Sequence, residues 1–249
     1  MDVQFLLEQC AQAMSEGIYD PAIFKAIFTA GGPGSGKSFI TNQVTGGLGF
    51  KIINSDDAFE LYMRRTGKSL KLAGSTDDYT PIRNRAVTTT ASKFQAAINP
   101  KSNLATAEGR LGLILDGTGA DMGKLLMKKR RLEKVGYDTY MLFINTTLET
   151  ALARNRSRER TLDDKIVIDK WNEVQANLPM FKTLFKKQDG IERFILINND
   201  APIENQKELL HKIYVAFMKI AKKPLQNPIA VDWVQQELDR RRRRFATEI

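Results

Sequence analysis

Eight consecutive residues, Gly31-Gly32-Pro33-Gly34-Ser35-Gly36-Lys37-Ser38, narrow what this chain can fold into more than any other stretch. They fit G-x-x-x-x-G-K-[ST] at every constrained position. Upstream, Ala26 to Ala30 reads as a short buried strand, and downstream Phe39 to Val44 reads as the first turns of a helix. Glycines let the backbone bend so that successive N–H groups converge on phosphate oxygens. The loop then presents those phosphates to a helix N-terminus, whose unpaired amides and dipole favour negative charge. In such a loop Lys37 reaches the β- and γ-phosphates and the Ser38 hydroxyl ligates Mg²⁺. The expected ligands are ATP and Mg²⁺, with nucleotide contacts from Gly31, Gly32, Pro33, Gly34, Ser35, Gly36, Lys37, Ser38 and Phe39.

Strand and helix patterns alternate along the chain. Residues 3–14 carry helical spacing, and Asp20-Pro21 marks a break before the first strand. Gly46 to Gly49 is a helix-stop signal, after which Phe50 to Ile53 reads as a second strand and Ala58 to Arg65 as a helix. Residues 66–80 have no apolar period and read as a mobile loop, followed by a helix over 82–98 and turn chemistry at 99–103. Leu111 to Leu115 is a continuous apolar run, as expected for a central parallel strand buried on both faces. A helix over 122–135, a strand over 140–144, a helix from Leu148, a helix over 166–185 interrupted at Pro179, a strand over 194–197 and a helix over 204–221 complete the pattern. The alternation predicts an α/β fold, a three-layer, doubly wound parallel sheet of about five strands with helices on both faces. Residues 222–228 read as a hinge, dividing a domain over 1–223 from a basic helical extension over 224–249.

Composition removes several function classes. No apolar run approaches the roughly 20 residues a bilayer span requires, so no membrane role is expected. One cysteine, Cys10, excludes an internal disulfide and suits a reducing cytoplasm. With one histidine as well, His211, there is no His/Cys metal site, and any metal is a hard, oxygen-ligated ion. The formal net charge of +9 favours a polyanionic partner. Part of that excess lies in Arg240 to Arg244, a run that suits nucleic acid, an acidic partner surface or a solvated tail equally well.

Three clusters bear on chemistry beyond binding. Asp56-Asp57 follow the second strand directly, where open α/β sheets place ligands, so a carboxylate there can take a proton from an attacking hydroxyl; Asp also suits a helix N-cap. Asp116-Gly117-Thr118 ends the most apolar strand, where an acid can hold Mg²⁺ through water, orient an acceptor-site group or cap a helix. Arg154 and Arg158 are four residues apart, sharing a helical face if the helix continues, within a lid region over 154–165. Such a pair can neutralise charge on a transferred phosphoryl group, or form a solvated face paired with Glu159, Asp163 and Asp164.

The ordered set Gly31–Ser38, Asn54-x-Asp56-Asp57, Asp116-Gly-Thr and Arg154-Asn155-x-x-Arg158 resembles the P-loop kinases of the phage polynucleotide 5′-hydroxyl kinase and zeta-toxin group, over roughly residues 25 to 200. That resemblance implies a kinase in which Asp56 is the general base, Lys37 and Ser38 bind ATP and Mg²⁺, and Arg158 is the lid arginine supported by Arg154. It departs at Phe59, where these kinases commonly have an arginine that binds the acceptor; here the nearest are Arg64 and Arg65. The expected activity is transfer of the γ-phosphate to a hydroxyl on a nucleic-acid end, nucleotide or nucleotide-sugar. The positive charge tilts that expectation toward a polynucleotide. Loop 66–80 and the helix over 82–98 are expected to shape the acceptor pocket. The alternative is a non-catalytic nucleotide-binding assembly or regulatory protein whose basic tail meets nucleic acid or a partner chain.

Overall fold

Lys25–Ala30 (β1) is buried at every position, which requires cover on both faces of its sheet. The computed structural model describes residues 18–44, 50–98, 110–188, 190–200 and 206–247. The expected helix over 3–14, Cys10, the glycine stop at 46–49 and the turn at 99–103 lie outside the described residues. Strands β1, β2 (Lys51–Asn54), β3 (Leu113–Asp116), β4 (Asp138–Asn145) and β5 (Phe194–Asn198) pair in parallel in the order β2-β3-β1-β4-β5. The expected α/β architecture is therefore present.

The period-2 alternation of each strand sorts its side chains between two cores. Ala26, Phe28, Leu113, Leu115, Met141 and Phe143 face one side. That side is covered by α3 (Thr80–Ile98), α4 (Met122–Lys134) and α6 (Asp164–Leu184), through Phe94, Leu132, Val174 and Phe181. Ile27, Ile114, Tyr140, Leu142 and Ile144 face the other side, covered by Ile40 of α1 (Lys37–Val44) and by Ile213 and Phe217 of α7 (Gln206–Ala221). A third cluster, Phe59, Met63, Leu70 and Ala86, holds α2 (Ser55–Arg65) against α3.

Two expectations change. Helix α6 runs through Pro179 without interruption, because Val174 and Phe181 on either side of it are buried in the same core. Loop 66–80 is anchored rather than loose. Leu70 is buried, and the backbone N–H groups of Leu72 and Ala73 both donate to the Thr161 carbonyl, at 3.0 and 3.2 Å. Before α8 (Pro228–Thr247), the chain is stitched to the N-terminal edge of the sheet. Lys25 donates to the Pro224 carbonyl, Arg193 to the Gln226 side chain and Asn227 to the Glu133 carbonyl. Ala230 is buried and Trp233 meets Phe24 edge-on at 5.5 Å. Arg240 and Arg241 pair with Glu237 on their own helix. Among the described residues, no helix is long and apolar enough to cross a membrane.

Candidate active site

The C-terminal ends of β1, β2 and β3 open onto one cleft of about 1110 Å³. The phosphate loop crosses its floor between β1 and α1. Gly34 and Gly36 have φ of +78° and +87°, which L side chains rarely adopt. A Cβ at Gly34 would also strike the Ala151 carbonyl, and one at Gly36 would come within 2.6 Å of the Asn199 side chain. Pro33, Gly34, Gly36, Lys37, Ser38 and Phe39 line the cleft. Gly31, Gly32 and Ser35 lie behind them and are buried. The first turn of α1 contains no acidic residue, so its N-terminus is free to receive an anion.

Lys37 is held without a carboxylate. Its Nζ donates to the carbonyls of Gly31 and Gly32, at 2.7 and 3.1 Å, and lies 3.4 Å from Ser35 Oγ. Desolvation lowers its pKa from the ordinary 10.5, opposed by the Asp116 and Asp56 charges. A partly desolvated ammonium paired with neutral oxygens alone is poised for an incoming anion.

Asp116 sits at the meeting point of three strand ends. It accepts from Thr29 Oγ1 at 2.6 Å, Ser38 Oγ at 3.1 Å and Asn54 Nδ2 at 3.0 Å. The β2–β3 register puts Asn54 directly opposite Asp116. One carboxylate and two hydroxyls form a hard-oxygen donor set that suits Mg²⁺ completing its shell with water and phosphate oxygens. Among the described residues no cluster of three acidic, His or Cys side chains offers a denser alternative.

The N-cap of α2 is Asn54, whose side chain accepts from the Asp56 backbone N–H at 2.8 Å. Asp56 and Asp57 therefore occupy the first turn, and neither is the cap. Asp56 lines the cleft. Asp57 turns outward and accepts from Asn54 Nδ2 at 2.9 Å. Its carboxyl head is partly desolvated and faces the Asp116, Glu60 and Asp56 charges, which together push its pKa up.

The arginines are arranged differently from the expectation. Helix α5 (Leu148–Ser157) stops before Arg158, which is extended at φ −91°, ψ 160°, so Arg154 and Arg158 do not share a helical face. Both nevertheless line the cleft. Arg154 donates to the Asn199 carbonyl at 2.8 Å. Arg158 donates to Asn155 Oδ1 at 3.3 Å. Burial lowers the pKa of both, assisted at Arg158 by the Arg160 guanidinium. Buried Asn155 shapes the lid, its amide bonding both the carbonyl and the N–H of Leu162. The expected acidic partners are taken by other arginines, Glu159 by Arg64 and Asp164 by Arg156.

Residues outside the sequence-based set also shape the site. Asn199, beyond β5, donates to the Ser35 carbonyl at 2.8 Å. Trp171 of α6 donates to the Thr146 carbonyl and packs against Gly32. Arg160 bonds Asp56 and Glu60. Arg83 of α3 lies over the Phe59 ring, 5.0 Å from its centre, and lines the cleft. The place where an arginine was missing from α2 is thus approached by arginines from the lid and from α3.

The model of the AAA_33 family, described as an AAA domain, matches residues 27–179, more than half of the chain. The chain belongs to this family. A search of the curated proteins found no match. Among solved structures, the native AvrRxo1-ORF1:AvrRxo1-ORF2 complex aligns with a TM-score of 0.53 at 12% identity, over 94% of this chain and 83% of that one. The same complex with sulphate ions gives 0.53 at 14%, covering 77% of this chain but only 61% of that one. Shikimate kinase from Acinetobacter baumannii, in complex with shikimate, aligns with a TM-score of 0.46 at 17% identity, over 78% and 93% of the two chains. The five-stranded parallel sheet with a glycine-rich loop between β1 and α1 is a P-loop α/β fold, which implies a nucleotide site.

Proposed function

We propose that the protein is an ATP- and Mg²⁺-dependent phosphotransferase acting on a hydroxyl of a nucleic-acid end, nucleotide or nucleotide-sugar, in the manner of the polynucleotide-kinase and zeta-toxin group. The observation that carries this reading is convergence. Lys37, Ser38, Asp56, Asp116, Arg154 and Arg158, drawn from four separate stretches of chain, line one cleft.

The roles follow from chemistry. Lys37 and the amides at the start of α1 hold the triphosphate. Ser38 and Asp116 hold Mg²⁺, which when bound neutralises charge on the β- and γ-phosphates. The acceptor oxygen attacks the γ-phosphorus, the bond to the β–γ bridging oxygen breaks, and ADP departs. The acceptor's proton passes to the Asp56 carboxylate. Arg154 and Arg158 offset the charge on the transferring group. Arg83, Tyr79 and Lys128 also line the cleft, where they are available to the acceptor.

The test is Asp56→Asn assayed with labelled ATP against 5′-hydroxyl DNA and RNA, nucleosides, nucleotides and nucleotide-sugars. Wild type transfers label to one of these classes, and the variant loses about 10²-fold or more in transfer while binding nucleotide as before. Intact ATP binding with no transfer to any acceptor would sink this reading and favour a nucleotide-binding assembly protein.

A further inference from the structure

Two lid arginines, Arg156 and Arg160, have no role in the proposed chemistry, and Arg160 is by far the more buried of the two. Its Nη2 lies 3.2 Å from Asp56 Oδ1 and its Nη1 3.3 Å from Glu60 Oε1. Asp56 and Glu60 are four residues apart on α2, so a single planar guanidinium spans one face of the helix. The same guanidinium lies over the Phe59 ring, 5.2 Å from its centre. Its side chain is only 11% exposed, against 49% for Asp56. Nε is buried and makes no hydrogen bond. The Asp56 carboxylate accepts no other hydrogen bond among the described residues, so Arg160 alone fixes how it is turned. The next residue, Thr161, accepts from Leu72 and Ala73, and Asp163 accepts from the Gly74 N–H at 2.9 Å. Residues 160–163 therefore tie three things together: the lid, the first turns of α2, and the loop expected on the acceptor side.

We infer that Arg160 is a positioning residue, which turns one oxygen of Asp56 toward the acceptor only while the lid is seated. The inference rests on the proposed transfer reaction, in which Asp56 takes the acceptor's proton. With Oδ1 occupied by Nη2, the second oxygen is left for that proton. When the lid lifts, the guanidinium leaves with it and Asp56 becomes free to rotate. Base orientation is thereby coupled to nucleotide-driven closure, rather than being a fixed property of α2. Phe59 fits this arrangement, because its flat ring gives the arriving guanidinium a surface where a resident arginine would repel it.

The experiment compares wild type, Arg160→Gln and Arg160→Lys in full-length protein. It measures affinity for a non-hydrolysable ATP analogue with Mg²⁺, hydrogen exchange of the 55–64 and 70–79 segments with and without that analogue, and the kcat/KM split for any acceptor found. Arg160→Gln is expected to bind the analogue within about threefold of wild type. It should lose the nucleotide-induced protection of the 55–64 segment while keeping protection at 70–79, which is tied through Thr161. Its kcat should fall by about 30-fold or more at unchanged KM for ATP, and Arg160→Lys should recover part of both signals. Unchanged protection at 55–64 in Arg160→Gln overturns the inference, as does a kcat within threefold of wild type. If wild type transfers label to no acceptor, the transfer reading fails by itself, and the exchange measurement alone decides whether Arg160 couples lid to α2. If Arg160→Gln does not fold, Arg160→Lys decides: full protection and full kcat with the fork geometry lost would overturn the inference.

Discussion

Both ends of one parallel sheet gather a lysine, an aspartate and arginine, and they use them in opposite ways. At the N-terminal edge, Lys25 and Arg193 each lie 3.2 Å from the Asp138 carboxylate, and exposures of 1, 8 and 2% for Lys25, Arg193 and Asp138 leave no path for a ligand. The segment leading into α8 closes that end, with Pro224 and Gln226 supplying further hydrogen bonds. At the C-terminal edge, Lys37 meets only neutral oxygens, Asp116 meets hydroxyls and an amide, and the cleft stays open. Burial lowers the pKa of Lys25 and Lys37 alike, so the shift does not separate structure from function. The partner does. A lysine beside a carboxylate is already neutralised, whereas one given only neutral oxygens is held ready for charge that arrives from outside.

The sharpest way to break this contrast is to remove each lysine's role in turn. Lys37→Ala should cost about 10³-fold or more in phosphoryl transfer, with the urea midpoint unmoved, since no buried charge is orphaned. A comparable loss of stability in that variant would mean that the open edge is structural after all. Asp138→Ala should do the reverse, lowering stability by about 3–5 kcal/mol in urea unfolding because Lys25 and Arg193 lose their shared counter-charge. Transfer per folded molecule should stay near wild type.

The smallest effect concerns pH. A lysine whose folded pKa lies below 10.5 sheds its proton early, so nucleotide affinity should fall as pH rises through the lowered Lys37 value, by up to about tenfold per unit. Lys37→Arg should flatten that fall. Stability moves the other way in the same window. Between the lowered and the ordinary lysine values the unfolded chain binds more protons, so Lys25 and Lys37 make folding more favourable as pH rises. Above about 10 the trend reverses, because burial holds Tyr137 and Tyr140 protonated in the fold, the latter pushed up to about 12, while unfolded tyrosines ionise. Parallel melts and nucleotide titrations across this range check both signs.

What the sequence revealed follows from locality. The phosphate loop, Asp56 and Asp116 are each specified within a dozen residues, by a strand, a turn and the start of a helix, so their placement could be read directly. Arg160 could not, because its partners Asp56 and Glu60 lie about a hundred residues away. Asn199 was hidden for the same reason, since its contact with Ser35 spans 164 positions. The 66–80 loop shows no apolar period because its anchors are single contacts, Leu70 in the small core and the two amides on Thr161. Helical spacing misled at Arg158, where Asn155 captures the departing chain and α5 ends two residues later, at Ser157.

One detail of the sheet has a consequence for redesign. Asp116, Asn54 and Thr29 are brought together by adjoining strand ends, not by the loops that follow them. Segments far from those ends are therefore open to lengthening or exchange without disturbing the three. One residue inserted within Leu113–Asp116 is different, because it would carry the carboxylate to the wrong side of the pleat. A library built on this scaffold should vary segments away from these strand ends and hold the strand lengths constant.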